Sequence, residues 1–212
     1  MSEHHHDHDR TFQPDHPEPT TEAARIGLAL RELLIEAGHY TVDEEREVIS
    51  AMQGATPENG ASIVARAWVD ADYKVRLLNN GIDAIRELGF DFQPYEFTVM
   101  ENTEDVHNVI VCTLCSCYPR ALLGISPAWY KSGSYRARVV REPRSVLREF
   151  GVNLGDDVEI RVHDSTAELR YMVLPQRPAG TVDWSEDELA SLVTRDALIG
   201  TQRELDAARK VP

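Results

Sequence analysis

The stretch Val111-Cys112-Thr113-Leu114-Cys115-Ser116-Cys117-Tyr118-Pro119 contains every cysteine of this 212-residue chain. Its C-x-x-C-x-C pattern is metal-ligand spacing, but it lacks the fourth ligand that a closed tetrahedral zinc site needs. No second Cys/His pair follows it, as zinc sites usually require. Three thiolates this close can lie on one tight turn, with the intervening amides facing the same centre. Soft thiolates favour cobalt or iron among first-row metals, so the motif indicates a site for a trivalent, low-spin ion.

The segments around this motif predict an α+β domain. Four segments have the apolar alternation or β-branched content of strands: 97–100, 106–111, 158–163 and 169–174. The second strand leads directly into the cysteine turn, and we expect the last two strands to pair with each other. Short helices are predicted at 126–132 and 143–150. Ser185 and Glu188 form a capping-box pattern that introduces a further helix through Val193.

The residues before this domain are mostly helical. Residues 1–19 are rich in His, Asp and Pro, which predicts a disordered tail. Helices are predicted from Thr20 or Thr21 to Gly38, from about Asp43, from Thr56-Pro57, and again up to Gly89. We therefore expect four regions: a tail at 1–19, a helical N-terminal arm at 20–89, an α+β metal-binding catalytic domain at 90–200, and a C-terminal tail at 201–212.

Composition excludes several classes of protein. A formal net charge of −14 argues against nucleic-acid binding, because phosphate backbones reward basic surfaces. No apolar run approaches the roughly 18 residues of a membrane span, and the polar N-terminus is unlike a secretion signal, so a cytoplasmic location is expected. Clustered cysteines in such a protein favour metal or redox chemistry over disulfides.

One arginine-rich segment runs from Tyr135 to Arg148. It can be interpreted as a patch for an anionic ligand. It can also be interpreted as a solvated or subunit-facing surface, because Glu142 and Glu149 are interleaved with the arginines, and charge runs are usually solvated faces.

The cysteine motif resembles that of nitrile hydratase α subunits. In that family Cys-Thr-Leu-Cys-Ser-Cys is typical of the cobalt enzymes, whereas the iron enzymes usually carry Ser at the position of Thr113. The resemblance extends from about Gln93 to Gly200. Further matching blocks are Glu101-Asn102-Thr103, Trp129-Tyr130-Lys131, Tyr135-Arg136-Ala137-Arg138, Arg170-Tyr171-Met172-Val173-Leu174-Pro175, Arg177-Pro178-Ala179-Gly180-Thr181, Val193-Thr194-Arg195-Asp196 and Ile199-Gly200. The expected fold is a helical arm followed by a layered α-β-β-α domain that carries the cysteine-turn metal site.

The resemblance implies a set of ligands and an activity. Cys112, Cys115 and Cys117 would bind the metal through sulfur, and the backbone nitrogens of Ser116 and Cys117 would complete the equatorial set. Cys115 would be oxidised to sulfinic acid and Cys117 to sulfenic acid. The metal would be one Co(III) per subunit, with Fe(III) as the second choice, and the reaction would be hydration of a nitrile to its amide. The family's proposed nucleophiles are a metal-activated water and the sulfenate oxygen of Cys117, and the sequence leaves both open.

Three other residues are candidates for the catalytic site. The hydroxyl of Ser116 could form a hydrogen bond at the metal. Gln93 lies nineteen residues before the first cysteine, where the family has a glutamine near the pocket. Arg120 stands where nitrile hydratases typically have Trp, and in this it resembles the γ subunit of thiocyanate hydrolase. Upstream, Glu101-Asn102-Thr103 is more similar to nitrile hydratase.

The expected function is therefore that of a nitrile hydratase α subunit, with a thiocyanate hydrolase γ-type subunit as the alternative. The resemblance implies a β subunit of one chain or two, an αβ heteromer that dimerises, a cobalt-insertion activator protein and a small nitrile as substrate. A non-enzymatic alternative is a thiol module that stores metal or senses redox state.

Overall fold

In the computed structural model, the chain divides after Gly54 into two compact units. Two helices make up the described part of the first unit. The structure describes residues 21–92, 94–115 and 117–205. Helix α1 spans Glu22–Glu36 and α2 spans Val42–Gln53, which confirms the first two predicted helices. Thr41 and Glu44 form a reciprocal cap at the start of α2, with Thr41 N donating to Glu44 Oε2 at 2.7 Å and Glu44 N to Thr41 Oγ1 at 3.2 Å.

Three more helices open the second unit: α3 (Pro57–Val69), α4 (Ala71–Asn79) and α5 (Gly81–Glu87). Pro57 supplies the fixed φ that suits a first helical turn. Asp70 and Asn80 end one helix and begin the next, because their side chains accept hydrogen bonds from Tyr73 N and Asp83 N. The apolar periodicity that runs towards Gly89 is thus divided between two helices.

The described residues contain four strands, which form two parallel pairs. They are β1 (Glu96–Glu101), β2 (Val106–Val111), β3 (Glu159–Asp164) and β4 (Leu169–Leu174). β1 pairs with β4, and β2 pairs with β3. The four strand segments were predicted, but the expected pairing of the last two with each other is wrong. Alternation along a strand reports which face is buried and carries no information about its partner.

Short helices lie between β2 and β3 and after β4. These are α6 (Arg120–Leu123), a 3-10 helix (Ala128–Lys131), α7 (Gly133–Val139), α8 (Pro143–Glu149), α9 (Glu186–Ala190) and α10 (Arg195–Ile199). The capping box of Ser185 and Glu188 is present, as predicted. Its helix ends at Ala190, before Val193, because Thr194 caps a separate helix by accepting from Ala197 N.

The second unit is layered as helix, sheet, sheet, helix, which confirms the expected α+β architecture. α4 and α5 pack on β1, α10 packs on β4, the two sheets meet through β2 and β4, and α8 packs on β3. The core side chains are almost fully buried and include Ile63, Val64, Val109, Ile110, Met172, Val173, Leu198 and Ile199. Among the described residues, no helix is both long enough and apolar enough to cross a membrane.

The compact units do not follow the boundary expected at residues 89 and 90. α3, α4 and α5 belong to the same unit as the strands, which begins at Ala55. Trp68 on α3 donates its indole N–H to the carbonyl of Pro175 at 2.9 Å, directly after β4. Arg177 returns a hydrogen bond to the carbonyl of Trp68 at 2.9 Å. The expected tail at 1–19 and most of the expected C-terminal tail, residues 206–212, lie outside the described residues.

Candidate metal centre

The three cysteine sulfurs converge on the turn that follows β2. The Sγ atoms of Cys112 and Cys115 are 3.5 Å apart, those of Cys115 and Cys117 are 3.2 Å apart, and all three lie within 4.8 Å of one another. Cys112 is buried, Cys117 is half-buried and Cys115 is exposed. The predicted cluster is therefore formed, and it is open to solvent on one side.

The donor set fits a single metal ion. Metal–thiolate bonds near 2.3 Å place two sulfurs about 3.3 Å apart when the bonds meet at a right angle. The two adjacent sulfur pairs are close to that separation. The backbone amide of Cys115 also faces Cys112 Sγ, at 3.3 Å, so the turn folds its main chain around the sulfurs.

Asp164 fixes the start of the turn. In the parallel register Val111 pairs with Asp164, so the carboxyl ends of β2 and β3 lie at the same edge of the sheet. The Asp164 carboxylate accepts from Thr113 N at 2.9 Å and from Thr113 Oγ1 at 2.6 Å. Sequence reasoning missed this residue, because it lies 51 positions from Thr113 and only the strand pairing brings them together.

Two side chains from the following helices hold the backbone of the turn. Tyr130 is fully buried and donates its hydroxyl to the Cys117 carbonyl at 2.9 Å. Arg136 on α7 donates from Nη1 to the Cys115 carbonyl at 3.0 Å. Both residues fall in blocks that resemble nitrile hydratase, but sequence reasoning assigned a role to neither. The turn is thus held at its beginning, middle and end by side chains from three different elements.

Burial, together with the hydrogen bonds of the adjacent Cys115 and Cys112 thiols, raises the pKa of the Cys117 thiol to about 12. The charge of Arg170 opposes this rise. In the absence of an ion the Cys117 thiol is therefore protonated at neutral pH. A cation that binds the three sulfurs must displace protons, as thiolate sites generally require.

A buried polar network lies behind the turn. His107 Nε2 donates to the Gly200 carbonyl at 2.7 Å, so its Nδ1 is free to accept from Asn102 Nδ2 at 3.4 Å. Asn102 Oδ1 accepts from Asn108 N at 2.7 Å, and Asn108 Oδ1 accepts from His163 Nε2 at 2.8 Å. Burial lowers the pKa of both histidines, which keeps them neutral in this network. His163 directly precedes Asp164, so the network supports the strand end that holds Thr113.

The other predicted site residues have mixed outcomes. Arg120 is the first residue of α6, directly beyond the turn, and is half-buried. Gln93 and Ser116 lie outside the described residues. Within the arginine-rich segment, Arg138 pairs with Glu142 and Glu149, and Arg144 donates to the carbonyls that precede β3. Two of the arginines that would form a patch for an anionic ligand are therefore already bound to groups of the chain itself.

Three converging thiols at the end of a parallel strand, in a helix–sheet–sheet–helix domain, define the class of the protein as one with a candidate thiolate metal site. The model of the family described as "Nitrile hydratase, alpha chain" matches residues 21–202. The chain belongs to the nitrile hydratase α-chain family.

Individual relatives are similar over most of their length. The chain is 53% identical to the low-molecular weight cobalt-containing nitrile hydratase subunit alpha of Rhodococcus rhodochrous, covering 84% of this chain and 86% of the relative. It is 43% identical to the thiocyanate hydrolase subunit gamma of Thiobacillus thioparus, covering 82% and 77%. A solved double mutant of the Fe-type nitrile hydratase of Comamonas testosteroni Ni1 has a TM-score of 0.78 at 46% identity, covering 87% of this chain and 92% of that one.

Proposed function

We propose that this chain is the metal-binding α subunit of a nitrile hydratase, whose complex hydrates a nitrile to the corresponding amide. The observation that carries the proposal is the convergence of Cys112, Cys115 and Cys117 within 4.8 Å at a strand end. Membership of the nitrile hydratase α-chain family gives that cluster its chemistry.

The proposed metal is cobalt, as one Co(III) per α chain, with Fe(III) as the second choice. Thr113 and the cobalt-containing relative support cobalt, whereas the Fe-type structural neighbour keeps iron as the alternative. The ligands would be the three sulfurs and the backbone nitrogens of Ser116 and Cys117. A bound trivalent ion would supply Lewis acidity, which makes a nitrile carbon or a water molecule reactive.

In this proposal, the residues of the chain bind the metal ion and orient its ligands. Asp164 and Tyr130 hold the two ends of the turn, so the sulfurs are preorganised and little reordering accompanies binding of the ion. Cys115 is exposed and Cys117 half-buried, which leaves the outer side of the cluster accessible to oxidation and to substrate. We propose that an external oxidant, such as dioxygen, converts the Cys115 thiol to a sulfinic acid and the Cys117 thiol to a sulfenic acid. The Cys117 sulfenate oxygen and a water molecule are the candidate nucleophiles, and the proposed catalytic roles of Ser116 and Gln93 rest on the family resemblance.

Thiocyanate hydrolysis is the second candidate, and Arg120 is the observation that favours it. A cation beside the pocket suits an anionic substrate better than an uncharged nitrile. The thiocyanate hydrolase γ subunit is also among the relatives, although its 43% identity is lower than the 53% of the cobalt nitrile hydratase.

The proposed complex includes a β subunit, as one chain or two, in an αβ heteromer that dimerises. We also propose a cytoplasmic location and an activator protein that inserts cobalt. The exposed apolar side chains of α1 (Ile26, Leu28, Leu30 and Leu33) support the need for a partner surface. The non-enzymatic alternative, a metal-storage or redox-sensing module, predicts reduced cysteines and an exchangeable ion.

The test is an assay of the assembled complex. The chain is co-expressed with its β partner and activator in cobalt medium, and the purified complex is given a panel of nitriles and, separately, thiocyanate. We expect amide from at least one nitrile, and none from a matched Cys112→Ser complex. Carbonyl sulfide from thiocyanate, without amide, would establish the second candidate. A cobalt-loaded complex that produces neither would contradict both enzymatic proposals.

A further inference from the structure

Arg136 lies against the middle of the cysteine turn, on a helix whose position is fixed. Tyr135, its neighbour on α7, is buried and donates its hydroxyl to the Ile110 carbonyl at 2.7 Å. Ser132 caps the helix by accepting from Tyr135 N at 3.1 Å. α7 is thereby attached to β2, the strand that runs into the turn. The Arg136 side chain is presented from a rigid element, and its Nη1 reaches the Cys115 carbonyl at 3.0 Å.

This hydrogen bond acts on one particular peptide group. The carbonyl of Cys115 and the backbone nitrogen of Ser116 belong to the same peptide bond, which is planar. A donor that fixes the direction of the carbonyl oxygen therefore fixes the direction of the nitrogen as well. The Ser116 nitrogen is one of the two backbone ligands in the proposed metal centre.

We infer that Arg136 is a positioning residue of the metal centre: its guanidinium holds the Cys115 carbonyl so that the nitrogen of that peptide bond faces the ion held by the three sulfurs. The inference rests on the proposed function, because it assumes that a metal binds at the turn. It assigns to an arginine of the arginine-rich segment a role at the metal rather than at an anionic ligand.

The charge of the guanidinium suits this position. A peptide group that binds a metal through nitrogen carries negative charge, which it shares with its oxygen. A charge-assisted hydrogen bond to that oxygen is stronger than a neutral one. Arg136 Nε is also buried and has no hydrogen-bond partner among the described residues, so the head group is not already committed to a carboxylate there.

Other side chains that hold the turn contact different peptide groups. Asp164 binds Thr113, and Tyr130 binds the Cys117 carbonyl, so each acts on a different peptide group. Arg138, two positions further along α7, pairs with Glu142 and Glu149. Arg136 therefore holds a peptide group, that of the Cys115 carbonyl, which neither Asp164 nor Tyr130 is described as contacting.

The test measures metal retention in the assembled, cobalt-loaded complex. The variants are Arg136→Gln, which removes the charge, and Arg136→Lys, which keeps the charge but loses the planar head group. Arg141→Gln is the matched control, because Arg141 is exposed and lies just beyond the same helix. The readouts are cobalt content, the rate of cobalt release to a chelator, and the visible absorption of the metal–thiolate centre.

We expect release from Arg136→Gln to be about 10- to 100-fold faster than from wild type, as for other residues that orient metal ligands. Arg136→Lys should be intermediate, with a shifted absorption band, and Arg141→Gln should match wild type. Cobalt release from Arg136→Gln at the wild-type rate overturns the inference. If the Arg136→Gln complex does not assemble, cobalt release from Arg136→Lys at the wild-type rate overturns it instead. These outcomes leave the proposed function intact, whereas a wild-type complex without bound metal overturns both.

Discussion

The carboxylate of Asp164 accepts two hydrogen bonds from Thr113, one from the backbone amide at 2.9 Å and one from the hydroxyl at 2.6 Å. One side chain thereby anchors the residue between the first two sulfur ligands to the end of the neighbouring strand. The anchor exists because β2 and β3 are parallel and in register at Val111 and Asp164. It is one of the contacts through which the fold determines the shape of the cysteine turn, together with those of Tyr130 and Arg136.

Removing this anchor should loosen the metal centre. In Asp164→Ala the Thr113 amide and hydroxyl lose their acceptor, and we expect metal affinity to fall about 10- to 100-fold. Asp164→Asn keeps one acceptor oxygen and should lie between that variant and wild type. Asp183→Asn, at an exposed position, is the control. Cobalt content after dialysis against a chelator is the measurement, and equal retention in Asp164→Ala and wild type would show that the anchor is dispensable.

Gly200 should not tolerate a side chain. It ends α10 with φ of 92°, and a Cβ there would overlap the Asn108 carbonyl oxygen and approach Val109 Cα to 2.8 Å. Gly180 has a similar φ of 78° and open space around it. Gly180→Ala should therefore cost only the left-handed penalty of about 1–2 kcal/mol.

Gly200→Ala should lower the free energy of unfolding by clearly more than Gly180→Ala, or give insoluble protein. Urea denaturation of the two variants makes the comparison, in which the left-handed penalty is common to both. Equal losses would mean that the backbone around Asn108 moves aside easily, and that the buried network is less rigid than its contacts indicate.

Acid should destabilise the chain through His107. Burial lowers the pKa of His107 in the folded state, whereas in the unfolded chain it titrates near 6.5. Below about pH 6.5 the unfolded chain binds the extra proton, so folding stability is complete above that pH and falls on acidification, by up to about 1.4 kcal/mol per pH unit.

The measurement for His107 is the free energy of unfolding at pH 7.5 and 5.5, for wild type and His107→Gln. We expect the variant to be less stable at pH 7.5, because the hydrogen bond to the Gly200 carbonyl is lost or weakened. Its stability should nevertheless change less between the two pH values. The same pH dependence in both proteins would exclude His107 as a source of acid sensitivity.

Arg120 should influence the choice of substrate if it lines the pocket. In Arg120→Trp, the cation is replaced by the residue typical of nitrile hydratases, and kcat/KM should shift towards apolar nitriles and away from anionic or strongly polar substrates. Lys131→Trp, on the 3-10 helix, is a control for adding an aromatic side chain at an exposed cationic position. An unchanged substrate profile in Arg120→Trp would remove Arg120 from the pocket.

The sequence predicted the ligands of the candidate site but not the residues that hold them. Cys112, Cys115 and Cys117 are close in the chain, so local spacing sufficed. Asp164 reaches Thr113 only through a parallel strand pair, and local patterns predicted a different pairing. For the same reason the strand at 106–111 was predicted at its observed bounds, whereas its pairing with β3 was not predicted. Local signals define elements, and contacts distant in the chain depend on how the elements pack.

The direct test of the central claim, that the cysteine turn binds a metal, is elemental analysis combined with intact mass of the α chain from the purified complex. The prediction is one cobalt per α chain, with a mass increase of about 48 Da for the three oxygens of one sulfinic and one sulfenic acid. The matched Cys112→Ser complex should lack the cobalt. A wild-type complex, formed with its activator in cobalt medium, that contains no tightly bound cobalt or iron and has three free thiols would contradict the claim.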